Sequence, residues 1–235
     1  MKIGLFSDAH YCKEEEIGGG RRPMASYGKI KKAMQDFLEQ GVEMCFCLGD
    51  LVDNAPKDTK EAVRENLHSL MELIRSYNIP FYTVVGNHDY LKLTAEDWVK
   101  EGIEIPPYTV IKDNYKFIIL DANYLSNMER FDIGGVVWDD SNLPREQVEL
   151  LERELDCDMD CVVMVHENLD PTVDKSHIIK NAEEIRRIIG KSGNVRAVIQ
   201  GHYHNGSTVV IDNIPYITLK AMCEHDSDVH IILDI

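Results

Sequence analysis

Five short blocks of this 235-residue chain hold side chains that could do chemistry. They are Asp8-Ala9-His10, Gly49-Asp50-Leu51-Val52-Asp53, Gly86-Asn87-His88-Asp89, His166, and Gly201-His202-Tyr203-His204. Carboxylates, imidazoles and one amide oxygen make a mixed N/O donor set without thiolate. Such a set suits Mn, Fe, Zn, Co or Ni better than an all-oxygen Mg or Ca cage. The donors are too many for one ion. Two ions sharing a carboxylate would use them all, and paired cations serve in-line displacement at phosphorus. Taken singly, an Asp or His at a strand end is usually a turn or cap residue. The conjunction of five blocks is what points to a site.

Each block follows a short apolar run with strand character: Ile3–Phe6, Met44–Leu48, Phe81–Val85, Cys161–Val165 and Val195–Ile199. Between the first three lie stripes at helical spacing, Ile30, Met34, Phe37 and Leu38, then Val63, Leu67, Leu70, Met71 and Ile74. Strands alternating with helices predict an α/β chain with a parallel sheet. Ligands of such sheets bind beyond the carboxyl ends of the strands, so the five blocks can converge. Tyr108–Ile111 and Phe117–Leu120 read as a hairpin, Pro144 opens a helix, and Ile178–Ile189 reads as another. Thr208–Ile211, Ile214–Leu219 and His230–Leu233 read as an antiparallel part of a sheet. No linker, repeat or low-complexity tract interrupts the chain, so one domain over 1–235 is expected. Ala9–Ala25 and Ala122–Asn142 fit neither pattern, and loops of that length are often functional.

With 25 Lys+Arg against 41 Asp+Glu, the formal net charge is −16. This disfavours a broad basic face for long nucleic acids. It leaves small phosphates in play, because a local site can oppose the global charge. No apolar run approaches the roughly 20 residues that span a bilayer, and the start is too short for a signal peptide. The six cysteines include no C-x-x-C pair, and Cys45 and Cys47 are expected on opposite faces of one strand. Reduced thiols and a cytoplasmic setting, away from membranes, follow as expectations.

The five blocks, in this order, resemble the pattern of the calcineurin-like metallophosphoesterases: D-x-H, G-D-x-x-D, G-N-H-[DE], an isolated His, and G-H-x-H. The fourth block departs in one respect. Many members carry two His there, or a His soon followed by Pro, whereas this chain reads Val165-His166-Glu167-Asn168-Leu169-Asp170-Pro171. The resemblance implies a four-layer αββα sandwich with mixed sheets and a dimetal site at the carboxyl ends of the strands. It implies Asp8, His10, Asp50 and His204 around one ion, and Asp50, Asn87, His166 and His202 around the other, the ions being Mn, Fe or Zn. It makes His88 an outer-sphere catalytic histidine and Asp53 its carboxylate partner. The implied reaction is hydrolysis of a phosphate ester by a metal-bridging hydroxide.

The segment Gly18-Gly19-Gly20-Arg21-Arg22-Pro23 places two guanidinium groups near the first block. Arg21 and Arg22 either bind substrate phosphate or pair with Glu14 to Glu16. This stretch and Ile217–Glu224 resemble the manganese-dependent ADP-ribose/CDP-alcohol diphosphatases and the cyclic nucleotide phosphodiesterase branch. A small phosphodiester or nucleotide pyrophosphate is thus the expected substrate. A phosphomonoesterase or protein phosphatase on the same centre, or a non-catalytic scaffold for partner proteins, is the alternative. Trp138 and Tyr124 are each either packing residues or platforms for a nucleobase.

Overall fold

The computed structural model describes residues 1–235. The first half runs β1 (Lys2–Phe6), α1 (Pro23–Glu39), β2 (Met44–Cys47), α2 (Lys60–Arg75), β3 (Phe81–Thr83) and α3 (Ala95–Lys100). The second half runs β4 (Tyr108–Lys112), β5 (Tyr115–Ile119), α4 (Arg145–Leu155), β6 (Asp160–Met164), α5 (Ala182–Ser192), β7 (Val195–Gln200), β8 (Ser207–Ile211), β9 (Ile214–Thr218) and β10 (His230–Asp234). Two mixed sheets result, ordered β10-β1-β2-β3 and β4-β5-β6-β7-β9-β8.

Alternation along the strands explains why there are four layers. Side chains of a strand point to opposite faces in turn. Ile3 and Leu5 of β1, Met44 and Phe46 of β2, Phe117 and Ile119 of β5, and Val162 and Met164 of β6 all enter one core between the two sheets. Phe46 meets Phe117 there, ring centroids 5.0 Å apart. The intervening residues face outward. Phe6, Cys45 and Cys47 pack under α1 and α2. Ile118, Cys161 and Val163 pack under α4 and α5. Both faces of each sheet are therefore covered, as apolar strands without a wet face require.

Several expectations need correcting. Cys45 and Cys47 share a face, because residues two apart on a strand always do. They are nonetheless unpaired, like all six cysteines. The helix expected over Ile178–Ile189 begins only at Ala182. Ile178 instead bridges Asn168, and Asn181, preceding the helix, donates to the Leu143 carbonyl and accepts from its N–H. The terminal strands are antiparallel only in part. β8 and β9 form a hairpin over Asp212-Asn213, both at positive φ as a tight two-residue turn demands. β9, however, joins β7 in parallel, and β10 leaves for the other sheet, where it runs antiparallel to β1.

β1, β2 and β3 are mutually parallel, as are β5, β6 and β7. Their carboxyl ends bring the functional loops to one edge of the sandwich.

Candidate metal centre

Each block leaves its strand through a tight backbone path. Asp8, His10, Asp50 and His202 all lie in the left-handed region, with φ of 52°, 47°, 51° and 66°. They account for four of the ten non-glycine residues found there. Such conformations cost of order 1–3 kcal/mol each and persist where surrounding contacts impose them. Here the contacts are explicit. Asp89 ties two blocks together, its Oδ1 accepting from the N–H groups of Leu51 and Val52 at 3.0 and 3.2 Å. Its Oδ2 accepts from Gly86 N–H at 2.9 Å. The His88 N–H donates to Asp50 Oδ1 at 2.8 Å, and the His202 N–H donates to Asp8 Oδ1 at 3.1 Å. Glycine is required between these loops. A Cβ on Gly86 would lie 2.2 Å from Asp50 Oδ1, and one on Gly49, at φ 100°, would lie 2.4 Å from His166 Nδ1.

The side chains so placed form two adjoining clusters. Asp50 Oδ2 lies 3.3 Å from His10 Nε2 and 3.3 Å from His166 Nε2. On one side, His204 Nε2 is 3.2 Å from His10 Nε2 and 3.6 Å from Asp8 Oδ1. On the other, the ligand atoms of Asp50, His166 and His202 all fall within 4.8 Å of one another. Asp8, His10, Asp50, Asn87, His166 and His202 are all buried. Asn87 Oδ1 and His202 Nε2 have no hydrogen-bond partner, and His166 Nε2 makes no well-formed hydrogen bond, only the 3.3 Å approach to Asp50. Buried lone-pair donors without partners are costly, and a cation between them would satisfy them. The N/O donor set and these orphaned atoms fit divalent transition metals.

Neighbouring groups fix the imidazoles. His166 Nδ1–H donates to the Leu48 carbonyl at 2.6 Å, which leaves Nε2 facing Asp50. His204 Nδ1 lies 2.5 Å from Glu224 Oε1. Asp53 serves two histidines, its Oδ2 3.2 Å from His10 Nδ1 and its Oδ1 3.0 Å from His88 Nδ1. Carboxylates and carbonyls behind ligating histidines set both tautomer and orientation.

Titration behaviour follows from burial and charge. Burial, then His88, pushes the His10 pKa down. Burial, then His166, pushes His202 well below the ordinary histidine value. Burial opposes charge on His166 as well, yet the Asp50 carboxylate overrides it and raises that pKa well above the usual value. At His204 burial is likewise outweighed, here by the Glu224 hydrogen bond, and the pKa rises. His88 is raised too, the Asp50 and Asp53 carboxylates outweighing burial. Burial of Asp53 is overcome by its bonds to His10 and His88, which hold its carboxyl far below the usual range.

All nine residues expected at the centre are thus brought to one place. The two arginines part company. Arg21 Nη1 donates to Asp53 Oδ2 at 2.8 Å and reaches within 3.4 Å of His88 Nε2. Arg22 turns away to Asp226 and the Glu224 carbonyl, and neither arginine pairs with Glu14, Glu15 or Glu16. Sequence reasoning passed over Glu224, and it assigned no role to Asp89 or to Cys223, whose sulfur clusters with His10 and His204. Glu224 and Cys223 follow His204 by only about 20 positions but lie in the turn after β9, outside the five blocks, and Cys223 meets His10 from the far end of the chain.

These blocks and their spacing are those of one family, and a model of the calcineurin-like phosphoesterases matches residues 1–206. The chain belongs to the calcineurin-like phosphoesterase family. Among curated relatives of this phosphoesterase, the 3',5'-cyclic adenosine monophosphate phosphodiesterase CpdA of Haemophilus influenzae is 22% identical over 97% of the chain and 81% of its own length. A probable glycerophosphodiester phosphodiesterase, GpdQ of Arcobacter nitrofigilis, is 24% identical over 77% of the chain and 63% of its own length. The crystal structure of a dimetal phosphatase from Danio rerio superposes with a TM-score of 0.86 at 17% identity, covering 99% of this chain and 91% of that one. The shared fold is the two-sheet α/β sandwich described above. No helix of this phosphoesterase is long and apolar enough to cross a membrane.

Proposed function

We propose that this phosphoesterase hydrolyses small phosphodiesters of the nucleotide type at a centre for two divalent cations. Asp8, His10, Asp50 and His204 would hold one cation, and Asp50, Asn87, His166 and His202 the other. The observation that carries this reading is the position of Asp50, whose Oδ2 stands 3.3 Å from both His10 and His166. One carboxylate oxygen between two imidazole clusters is suited to bridge two ions. Mn, Fe or Zn fits the donors. Two cations so held supply an activated water and neutralise charge on the phosphate oxygens.

The protein's own groups complete the chemistry. His88 lines the cleft beside Asn87 and Asp50. Asp53 accepts from its Nδ1–H, which leaves Nε2, with Arg21 Nη1 at 3.4 Å, as the nitrogen that would donate a proton to the leaving oxygen. Carboxylates around His88 favour its protonated form, as a general acid requires. Arg21 sits against both Asp53 and His88, so it is placed to steady that pair or to meet a phosphate oxygen entering the cleft. Arg22, bonded to Asp226, takes no part in this reading.

The relatives named for cyclic nucleotide and glycerophosphodiester hydrolysis support a small diester, and the charge of −16 weighs against long polyanions. Six unpaired thiols accord with a reducing cytoplasm. The test is a metal-supplemented screen of cyclic nucleotides, ADP-ribose, CDP-alcohols, glycerophosphodiesters and phosphomonoesters. Hydrolysis of the diesters or pyrophosphates above the monoesters is expected. Preference for monoesters would overturn the assignment.

A further inference from the structure

The cleft over the metal centre has a volume of ≈ 480 Å³, and one of its walls has no part in the chemistry above. Trp138, His177 and Tyr203 build that wall. They come from three separate places: the irregular segment after β5, the single-turn helix Lys175–His177, and the loop after β7. His177 is the hub. Its ring centroid lies 5.4 Å from that of Trp138, 5.3 Å from that of Tyr203, and 5.1 Å from that of the ligand candidate His202. The aromatic wall therefore begins where the donor set ends.

The indole is not spent on packing. Trp138 remains 46% exposed, whereas the other tryptophan, Trp98, is fully buried in the core under α2. Its ring meets His177 at 59° and His202 at 51°, so neither neighbour lies flat against it. Nearly half of the residue stays exposed where it lines the cleft. The same segment also exposes Met128, Ile133 and Val137, while its Phe131, with Leu125 and Val136, packs in a small separate cluster on Val85 and Tyr90. The other two aromatics of that segment, Phe131 and Tyr124, are absent from the cleft lining, and Tyr124 bridges Arg130 instead. An uncovered indole beside a phosphate-binding centre suits a planar, polarisable group joined to that phosphate. Base–aromatic stacking is a strong and sequence-tolerant form of such recognition.

We infer that Trp138, braced by His177 and Tyr203, is a base-stacking platform that selects nucleotide-type phosphodiesters over glycerol-type ones. The inference rests on the proposed hydrolysis for the place of the phosphate. Its test includes a binding arm that does not depend on turnover. AMP and glycerol 3-phosphate are titrated into the protein while tryptophan fluorescence is followed. Trp98 is shielded, so the signal that changes is that of Trp138. AMP should quench it saturably, and glycerol 3-phosphate should not. By calorimetry, Trp138→Ala should weaken AMP about tenfold, Trp138→Phe should retain most of the affinity, and glycerol 3-phosphate should shift much less. With substrates, kcat/KM for a cyclic nucleotide relative to a glycerophosphodiester should fall by a similar factor in Trp138→Ala, through KM. Equal weakening of AMP and glycerol 3-phosphate, or AMP affinity untouched by Trp138→Ala, overturns the platform. Failure of the metal-loaded wild type to hydrolyse any phosphodiester would instead overturn the hydrolase reading, with the platform still decided by the binding arm.

Discussion

His204 owes its aim to a single carboxylate, and removing that carboxylate should loosen one cation site while sparing the other. Glu224 Oε1 lies 2.5 Å from His204 Nδ1, and each side chain is about a quarter exposed, at 25% and 24%. With Nδ1–H committed to Glu224, Nε2 presents its lone pair toward His10 and Asp8. A charge-assisted hydrogen bond contributes ~1.5–3 kcal/mol, and partial solvent access draws the value toward the lower end. Glu224→Ala should then cost ~1.5–2 kcal/mol of cation binding, or roughly 10- to 30-fold in affinity at the site of Asp8, His10, Asp50 and His204. Glu224→Gln keeps an acceptor of the same shape and loses only the charge, so its cost should be about half as large in free energy. The segment itself should stay in place, because Met222 N–H and Cys223 N–H donate to the Ser7 and Asp8 carbonyls, each at 3.0 Å. The assay is calorimetric titration of metal-free protein with Mn at alkaline pH, beside a melting curve. One weakened and one unchanged binding event is the expected result. Unchanged affinity at both sites, or equal weakening of both with no loss of stability, would refute the reasoning.

Other outcomes follow from the same geometry. Gly86→Ala drives a Cβ to 2.2 Å from Asp50 Oδ1 and 2.6 Å from Asp50 N. It should cost ~1–3 kcal/mol of stability and weaken both cation sites together, since Asp50 stands between them; wild-type metal affinity in that variant would contradict the shared carboxylate. His88→Ala should lower turnover by about 10²–10⁴ with both cations retained by elemental analysis, and loss of a cation would make His88 a ligand instead. Cation affinity should fall with acid. His166 and His204, raised by Asp50 and by Glu224 against burial, keep a proton that a cation must displace below their raised pKa values. Affinity should level off above those values, and proton release should appear as a buffer-dependent binding enthalpy. A binding enthalpy independent of buffer would refute it.

Much of the centre was legible because its residues sit where chain grammar is strongest. A buried parallel strand is a short apolar run, and Asp8, Asp50, Asn87, His166 and His202 each follow one within a few residues. What escaped depends on partners distant in the chain. β10 was legible as a strand, yet its place beside β1 in the other sheet is a tertiary choice. Glu224 gains its role only when β9 lies beside β7 and carries the following turn under His204. Arg21 and Arg22 are neighbours of one chemistry with opposite fates. Arg21 bridges Ile17 and reaches Asp53, whereas Arg22 immediately precedes α1 and is drawn to Asp226. Ile178 kept helical spacing with Ile185, but bridging to Asn168 held it in extended backbone. Local pattern places elements and their ends; which ends meet is decided by packing.

The central claim is that Asp50 joins two cations into one hydrolytic centre. Its most direct test is titration of metal-free protein with Mn while hydrolysis of bis(p-nitrophenyl) phosphate is followed. Activity should rise until two equivalents per chain are bound and then level, and Asp50→Ala should bind neither ion tightly and show no activity. Full activity in the metal-free chain, or a plateau at a single equivalent, would contradict it.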